Sequence, residues 1–254
     1  MTRLTIEKGY KTIKNGMDET RVLLDHIDLT INPGEFVTVV GGNGAGKSTL
    51  FNSIAGTLPM TSGKIRINEH DVTRRSEEDR AKYITRVFQD PKMGTAPRMT
   101  VAENLLLAEK RGQHRLLAPR KLNERKEYYG KLCQRVGNGL ENHLDTPTGN
   151  LSGGQRQALS LLMATLTEPE LLLLDEHTAA LDPKTSKNLM QLTNDMVTDQ
   201  NLTCLMITHH MEDALAFGNR LILMKKGRIA KDLDAKEKQI LTLSELLLFF
   251  EDDL

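Results

Sequence analysis

The chain has 254 residues, and its 34 Lys+Arg balance its 34 Asp+Glu, so the formal net charge is zero. That length buries one core of two lobes or at most two small domains, and the charge balance argues against a long surface built to grip nucleic acid. Cys133 and Cys204 lack any metal-ligand spacing and read as reduced thiols.

The N-terminus, MTRLTIEKGYK, has no apolar h-region, and no window approaches the run of about 20 apolar residues that spans a bilayer. Residues 3–40 read as strands. Val22-Leu23-Leu24, Ile27, Leu29 and Ile31 alternate, and Asn15-Gly16 predicts a turn. Phe36–Val40 is apolar except for Thr38, the pattern of a strand covered on both faces. Ser48–Gly56 predicts a helix stopped by Gly56 and Pro59, and residues 63–68 alternate as a short strand.

From Val101 the pattern turns helical over 102–110, 123–135 and 155–166, with loops carrying Gly112, Pro119, Gly137, Gly139, Pro147 and Gly149 between them. Strand signals return at 171–174, 204–208 and 221–224, alternating with helices near 183–198 and 211–217. Such alternation implies a parallel sheet. The expectation is an α/β chain with a helical insertion: one domain over 1–254, its α/β lobe drawn from 1–90 and 166–230. The helical lobe covers 91–165 and a short tail 231–254. The tail predicts a terminal helix packed on its own core, because Glu251, Asp252 and Asp253 would repel an anionic lipid surface.

Between the Phe36–Val40 strand and the Ser48 helix lies GGNGAGKST, residues 41–49. Gly41-x-x-x-x-Gly46-Lys47-Ser48 fits the P-loop pattern, with Asn43, Gly44, Ala45 and Thr49 completing the loop. Its glycines let consecutive N–H groups point inward, and the following helix adds its positive end. Lys47 reaches the β- and γ-phosphates in such a loop, and the Ser48 hydroxyl helps hold Mg²⁺. A bound nucleotide alone does not separate a kinase, a GTPase, a motor and a recombinase.

Leu171–Leu174 is an apolar strand ending in Asp175 and Glu176. Carboxyl ends of strands carry ligands in open α/β sheets, so Asp175 is the candidate metal-side acid and Glu176 the candidate base for an attacking water. Ser152, Gly153 and Gly154 precede a helical run and form a second helix N-terminus suited to an anion. Two such ends on different lobes exceed what a single triphosphate needs.

Leu151-Ser152-Gly153-Gly154-Gln155 matches the LSGGQ signature letter for letter, and here the chain resembles the ATP-binding cassette (ABC) ATPases over nearly its whole length. The motifs occur in the family's order: the Walker A loop at 41–48, a Q-loop glutamine at Gln89, the signature at 151–155, Walker B at 171–176, a D-loop ending in Asp182, and a switch histidine at His209. The resemblance implies a P-loop NTPase (RecA-like) parallel sheet core with an N-terminal antiparallel β-subdomain and an inserted α-helical signature subdomain. It implies ATP and Mg²⁺ as cofactors, with Ser48, Gln89 and Asp175 toward the metal. It implies a head-to-tail homodimer in which each ATP lies between one Walker A loop and the other copy's signature. Gln89 would touch metal or water and link the lobes, His209 would contact the γ-phosphate, and Asp182 would communicate across the dimer. Tyr10 stands where the family often has an aromatic that stacks on adenine; a strand tyrosine serving the core is the alternative, and the long Thr12–Val22 segment loosens its register. His210 neighbours the switch histidine and reads as solvated or structural. Glu176 is followed by His177 where the family usually has proline, and His177 reads as a solvated loop histidine beside the site.

The stretch from Gln89 to Leu151 holds a compact helical lobe but no long coiled coil, no second cassette follows, and no membrane span is fused. These features resemble the stand-alone ATPase subunit of bacterial importers, a peripheral protein on the cytoplasmic face of the membrane. Its expected partners are integral-membrane permease subunits and, through them, an extracytoplasmic substrate-binding protein. Val87–Asn104 and Asp175–Pro183 resemble a group of which some members serve uptake of aromatic amino acids such as tryptophan or tyrosine. The alternatives are an ABC ATPase for lipid or lipoprotein extraction or cell division, a nucleic-acid maintenance ATPase, and a non-catalytic nucleotide-binding scaffold.

Overall fold

A computed structural model describes residues 3–14, 20–113 and 121–251. The Asn15-Gly16 turn, Pro119, Asp252 and Asp253 lie outside the described residues, as does the side chain of Glu251. Two sheets form the frame. β1 (Leu4–Lys14), β2 (Thr20–Ile31), β4 (Ser62–Ile67) and β5 (His70–Asp71) make an antiparallel sheet in the order β2-β1-β4-β5. β3 (Phe36–Gly41), β6 (Ile84–Val87), β7 (Leu171–Asp175), β8 (Cys204–Ile207), β9 (Arg220–Lys225) and β10 (Arg228–Leu233) make the second, in the order β10-β9-β3-β8-β7-β6. Its pairs are parallel except β10 on β9.

The apolar runs read from the sequence are buried on both faces because side-chain direction alternates along a strand. Leu171 and Leu173 join Val37 and Val39 in a core shared with the antiparallel sheet, whereas Leu172 and Leu174 face the opposite side. Helix α1 (Lys47–Ala55) is held in the first core by Leu50, Phe51 and Ile54. Its last turn ends at Gly56, and the buried Arg80 donates to the carbonyls of Ser53 and Ile54 at 2.7 Å each. A guanidinium there meets both the unpaired carbonyls and the negative end of the helix dipole.

The insertion is helical, as expected. α2 (Glu77–Arg80) is a single turn in the α/β lobe. α3 (Val101–Glu109), α4 (Leu122–Val136) and α5 (Gly153–Thr165) then pack Leu105, Tyr129 and Leu159 into a separate core, joined by Leu140 from the short turn after α4. Asn104 is buried on α3 and fixes the incoming loop by bonds to Ala96, Met99 and Thr100. α5 also carries Ala158 and Leu161 into the core beneath β7, with α6 (Pro183–Asp199), so the signature helix belongs to both lobes.

α7 (Met211–Ala216) follows β8, and the tail forms α8 (Ala235–Ile240) and α9 (Leu243–Glu251). The terminal helix packs on the chain's own core: Leu246 is fully buried against Val40, Ala214, Leu221 and Leu223. The pattern along 228–233 predicts no strand, since β10 is a polar edge strand, Arg-Ile-Ala-Lys-Asp-Leu, in which only Ile229 and Leu233 are half-buried.

Candidate functional site

The Walker A loop leaves β3 at Gly41 and enters α1 at Lys47. Gly46 sits at φ +102°, and a Cβ there would meet the Leu23 carbonyl oxygen at 2.9 Å, so the tight entry into the helix admits only glycine. Ala45 is buried, whereas Gly42, Asn43, Gly44 and Ser48 are exposed and Thr49 is half-buried. The Lys47 ammonium is buried and donates to the carbonyls of Gly41 at 2.6 Å and Gly42 at 3.1 Å. Burial lowers its pKa, opposed by the charges of Glu176 and Asp175.

β6, β7 and β8 run parallel to β3 and end at the same edge of the sheet, so Gln89, Asp175, Glu176 and His209 lie along the edge from which the loop leaves, and the charges of Asp175 and Glu176 act on Lys47. Gln89 is exposed. Asp175 is partly buried and pairs with Arg86 of β6, which also donates to Asn52 of α1 at 2.8 Å. Glu176 adopts φ +48°, a left-handed backbone that costs about 1–2 kcal/mol for a side chain with Cβ. Its N–H donates to the Ile207 carbonyl at 3.1 Å, and its own carbonyl accepts from Ala179 at 3.0 Å. Its carboxylate lies 2.5 Å from Nε2 of His209, which stands half in solvent. His210 is exposed and is bonded through its N–H to the Thr208 hydroxyl at 3.0 Å.

His177 corrects the sequence expectation. It is not a solvated loop residue: it is buried, with Nε2 2.9 Å from the Thr193 hydroxyl of α6. Thr193 spends its single proton on the Leu189 carbonyl at 2.7 Å, so the hydroxyl accepts and His177 donates from Nε2. Burial holds the imidazole neutral, its pKa pushed down to about 4. Sequence reasoning saw only the missing proline, because the long-range partner sits a helix away.

The signature forms a different place in the fold. Ser152 caps α5, accepting from the N–H of Gln155, whose side chain in turn accepts from the Ser152 N–H: a reciprocal capping box. Leu151 is buried beneath it, and Arg156 fixes the approach through the carbonyls of Thr148 and Gly149. Ser152, Gly153, Gly154 and Gln155 line a cleft of about 340 Å³ with Asn138, Ala180, Leu181, Asp182 and Thr185. Asp182 caps α6 by accepting from the Thr185 N–H at 3.1 Å, and the Thr185 hydroxyl, followed by that N–H, lowers its carboxyl pKa. None of the residues lining this cleft belongs to the P-loop.

Tyr10 is half-buried on β1, outside the hydrophobic cores, and its ring meets that of His26 at 5.0 Å. Arg86, Asn52 and Gln157 went unseen in the sequence. Gln157 of α5 donates to the Phe88 carbonyl at 2.9 Å and so ties the signature helix to the segment carrying Gln89. The one signal for Arg86 was a charge inside the short strand run Ile-Thr-Arg-Val.

Residues 24–179 match the family model described as ABC transporter. The chain is 43% identical over 249 residues to the tyrosine transport ATP-binding protein of Clostridioides difficile (strain R20291), covering 98% of each. It is 34% identical to the phosphonates import ATP-binding protein PhnC of Lactococcus lactis subsp. cremoris (strain SK11), over 94% of this chain and 96% of that protein. Among solved structures, the post-hydrolysis dimer of the ATP-binding cassette MJ0796 bound to ADP and Pi aligns with a TM-score of 0.76 at 27% identity, over 91% of this chain and 98% of that one. The ADP conformation of MJ1267, an ATP-binding cassette of an ABC transporter, aligns at 0.77 and 25% over 98% of both. The chain belongs to the ABC transporter family, as its ATP-binding, ATP-hydrolysing cassette.

Proposed function

We propose that this cassette powers import through separate membrane subunits, that it works as a head-to-tail dimer on the cytoplasmic face of the membrane, and that its cargo is an aromatic amino acid of the tyrosine class. The observation that carries the dimer is the separation within one chain of the P-loop and the signature cleft. Each presents helix N–H groups suited to phosphate, and a second copy turned head to tail joins them over one triphosphate. The cargo rests on the 43% relative named for tyrosine transport. A permease and, beyond it, an extracytoplasmic binding protein complete the assembly.

In this reading the amides of Gly41 and Asn43–Thr49 cradle the β- and γ-phosphates, and Lys47 leaves the Gly41 and Gly42 carbonyls to meet them. Tyr10, beside His26, offers its ring to the adenine. Ser48, Asp175 and Gln89 present a hydroxyl, a carboxylate and an amide, all hard oxygen donors that suit Mg²⁺ when phosphates supply the remaining ligands. Held by these three side chains, Mg²⁺ would supply positive charge against the phosphates. Glu176 takes the proton of the attacking water, and His209 holds that carboxylate and reaches the γ-phosphate. Leu151–Gln155 of the other copy close over the phosphate, while Asp182 and its D-loop carry the state of one site to the other. Closure draws the helical lobes and the docked permease into a second conformation, and hydrolysis resets them.

The test is reconstitution of the cassette with a permease that it co-purifies with from membranes and that permease's binding protein, in vesicles loaded with ATP. Tyrosine uptake that depends on all components supports the reading. Lipid extraction, or ATPase stimulated by DNA with no membrane partner recovered, overturns it.

A further inference from the structure

Arg86 occupies a position that the nucleotide chemistry described above does not use. It is the third residue of β6, and its guanidinium ties three parts of the site together. It pairs with Asp175 at the end of β7, donates to Asn52 one turn along α1 from Ser48, and stacks over the ring of Phe88 with its carbon 4.9 Å from the centroid. The pair is sheltered: the two side chains are 12% and 14% exposed, and the Arg86 Nε is buried without a hydrogen-bond partner. The groove therefore holds a second fixed positive charge besides Lys47, and it rests on the carboxylate assigned to the metal.

We propose that Arg86 is a positioning residue, a resident counter-ion that occupies the Asp175 carboxylate until a divalent cation arrives with the nucleotide and takes its place. This rests on the reading of Asp175 as the metal-side acid. A guanidinium and a hard divalent cation seek the same oxygens, and a carboxylate that already holds a guanidinium yields to the metal only by releasing it. Without Arg86, Asp175 and Glu176 would face an incoming polyphosphate with Lys47 alone to offset them, so metal-free nucleotide would bind more weakly. With metal present, the site would bind more tightly, because no resident cation has to be displaced. Arg86 thus narrows the difference between metal-bound and metal-free nucleotide. Its release also frees Phe88, the neighbour of Gln89, so cation entry is felt at the link to the helical lobe.

The experiment titrates a fluorescent ADP analogue onto the full chain in MgCl₂ and in EDTA, and reads the ratio of the two dissociation constants. Arg86→Gln should widen that ratio by ~10-fold, the size of ordinary coupling between linked sites. Arg86→Lys, which keeps the charge, should retain the wild-type ratio. In an Asp175→Asn background the ratio should collapse, and adding Arg86→Gln should then change nothing, closing a double-mutant cycle. An Arg86→Gln protein weakened equally in both conditions, or one whose effect persists without Asp175, overturns the proposal. If Asp175→Asn leaves the ratio untouched, the metal-side reading of Asp175 is what fails, and the proposal falls with it. A measurement on the wild type stands apart from any folding defect: the Arg86 Nε–H resonance should shift when MgCl₂ joins the ADP-bound protein. A resonance that does not move also overturns it.

Discussion

The carboxylate of Glu176 and Nε2 of His209 lie 2.5 Å apart, each at the end of a different parallel strand, β7 and β8. The pairing joins the candidate base to the residue expected at the γ-phosphate, and the left-handed backbone of Glu176 aims the carboxylate out of the strand toward it. Glu176→Gln should therefore keep ATP binding, accumulate a closed dimer and lose turnover by about 10²–10⁴-fold, the usual worth of a positioned base. Steady-state ATPase and size-exclusion chromatography with ATP check both halves, and undiminished hydrolysis would remove Glu176 from the role.

Lys47 makes its bonds to two carbonyls of its own loop rather than to distant parts of the fold. Lys47→Ala should thus leave the fold intact while weakening ATP by ~100-fold or more, as loss of a charge-assisted phosphate contact of about 3 kcal/mol implies. Isothermal titration at one salt concentration reads it, with circular dichroism as the check on folding. Retained micromolar affinity would count against the P-loop assignment.

The buried bond between His177 and Thr193 links the turn after Glu176 to α6. Thr193→Val leaves the imidazole N–H unpaired and should destabilise the chain by about 1–3 kcal/mol. His177→Phe with Thr193→Val removes both partners and should cost less than the sum of the single changes. Urea unfolding monitored by circular dichroism measures the cycle; additive losses would mean that the bond contributes nothing.

Lys238 of α8 is buried, donates to the Gly218 carbonyl at 3.1 Å and to Phe217, and has its pKa pushed down to about 8 by desolvation. The unfolded chain keeps the proton up to about 10.4, so between these values it binds more protons than the native state, and stability rises with pH. The penalty is full below pH 8 and gone above the unfolded value. Between pH 8 and 9.5 the wild type should gain about 1.5 kcal/mol relative to Lys238→Met, in which the titration is absent. Parallel urea curves at the two pH values test this, and an unchanged difference would show that the carbonyl bonds hold the ammonium charged.

The elements were legible wherever burial imposed a period. Phe36–Val40 and Leu171–Leu174 announced strands because both of their faces are covered, and 102–110, 123–135 and 155–166 showed the helical repeat of a packed lobe. β10 and the single turn α2 did not show, since an exposed edge and a short polar turn bury too little to constrain composition. In the candidate site, the Walker A loop, Asp175, Glu176 and the signature were readable because phosphate binding demands particular residues at fixed local spacing. Arg86 and His177 were not, as each acts through a partner far along the chain.

By itself the sequence determined the loop that meets phosphate, the strand that ends in two carboxylates, and the second helix N-terminus, all consequences of backbone geometry within a few residues. Only the tertiary structure decided which strands lie side by side. The order β3-β8-β7-β6 sets His209 against Glu176 and Arg86 against Asp175, and it buries His177 under α6. Strand order is fixed by how whole layers pack their apolar faces, a property of the complete chain that no local stretch carries. The same packing keeps the signature cleft apart from the P-loop in one copy.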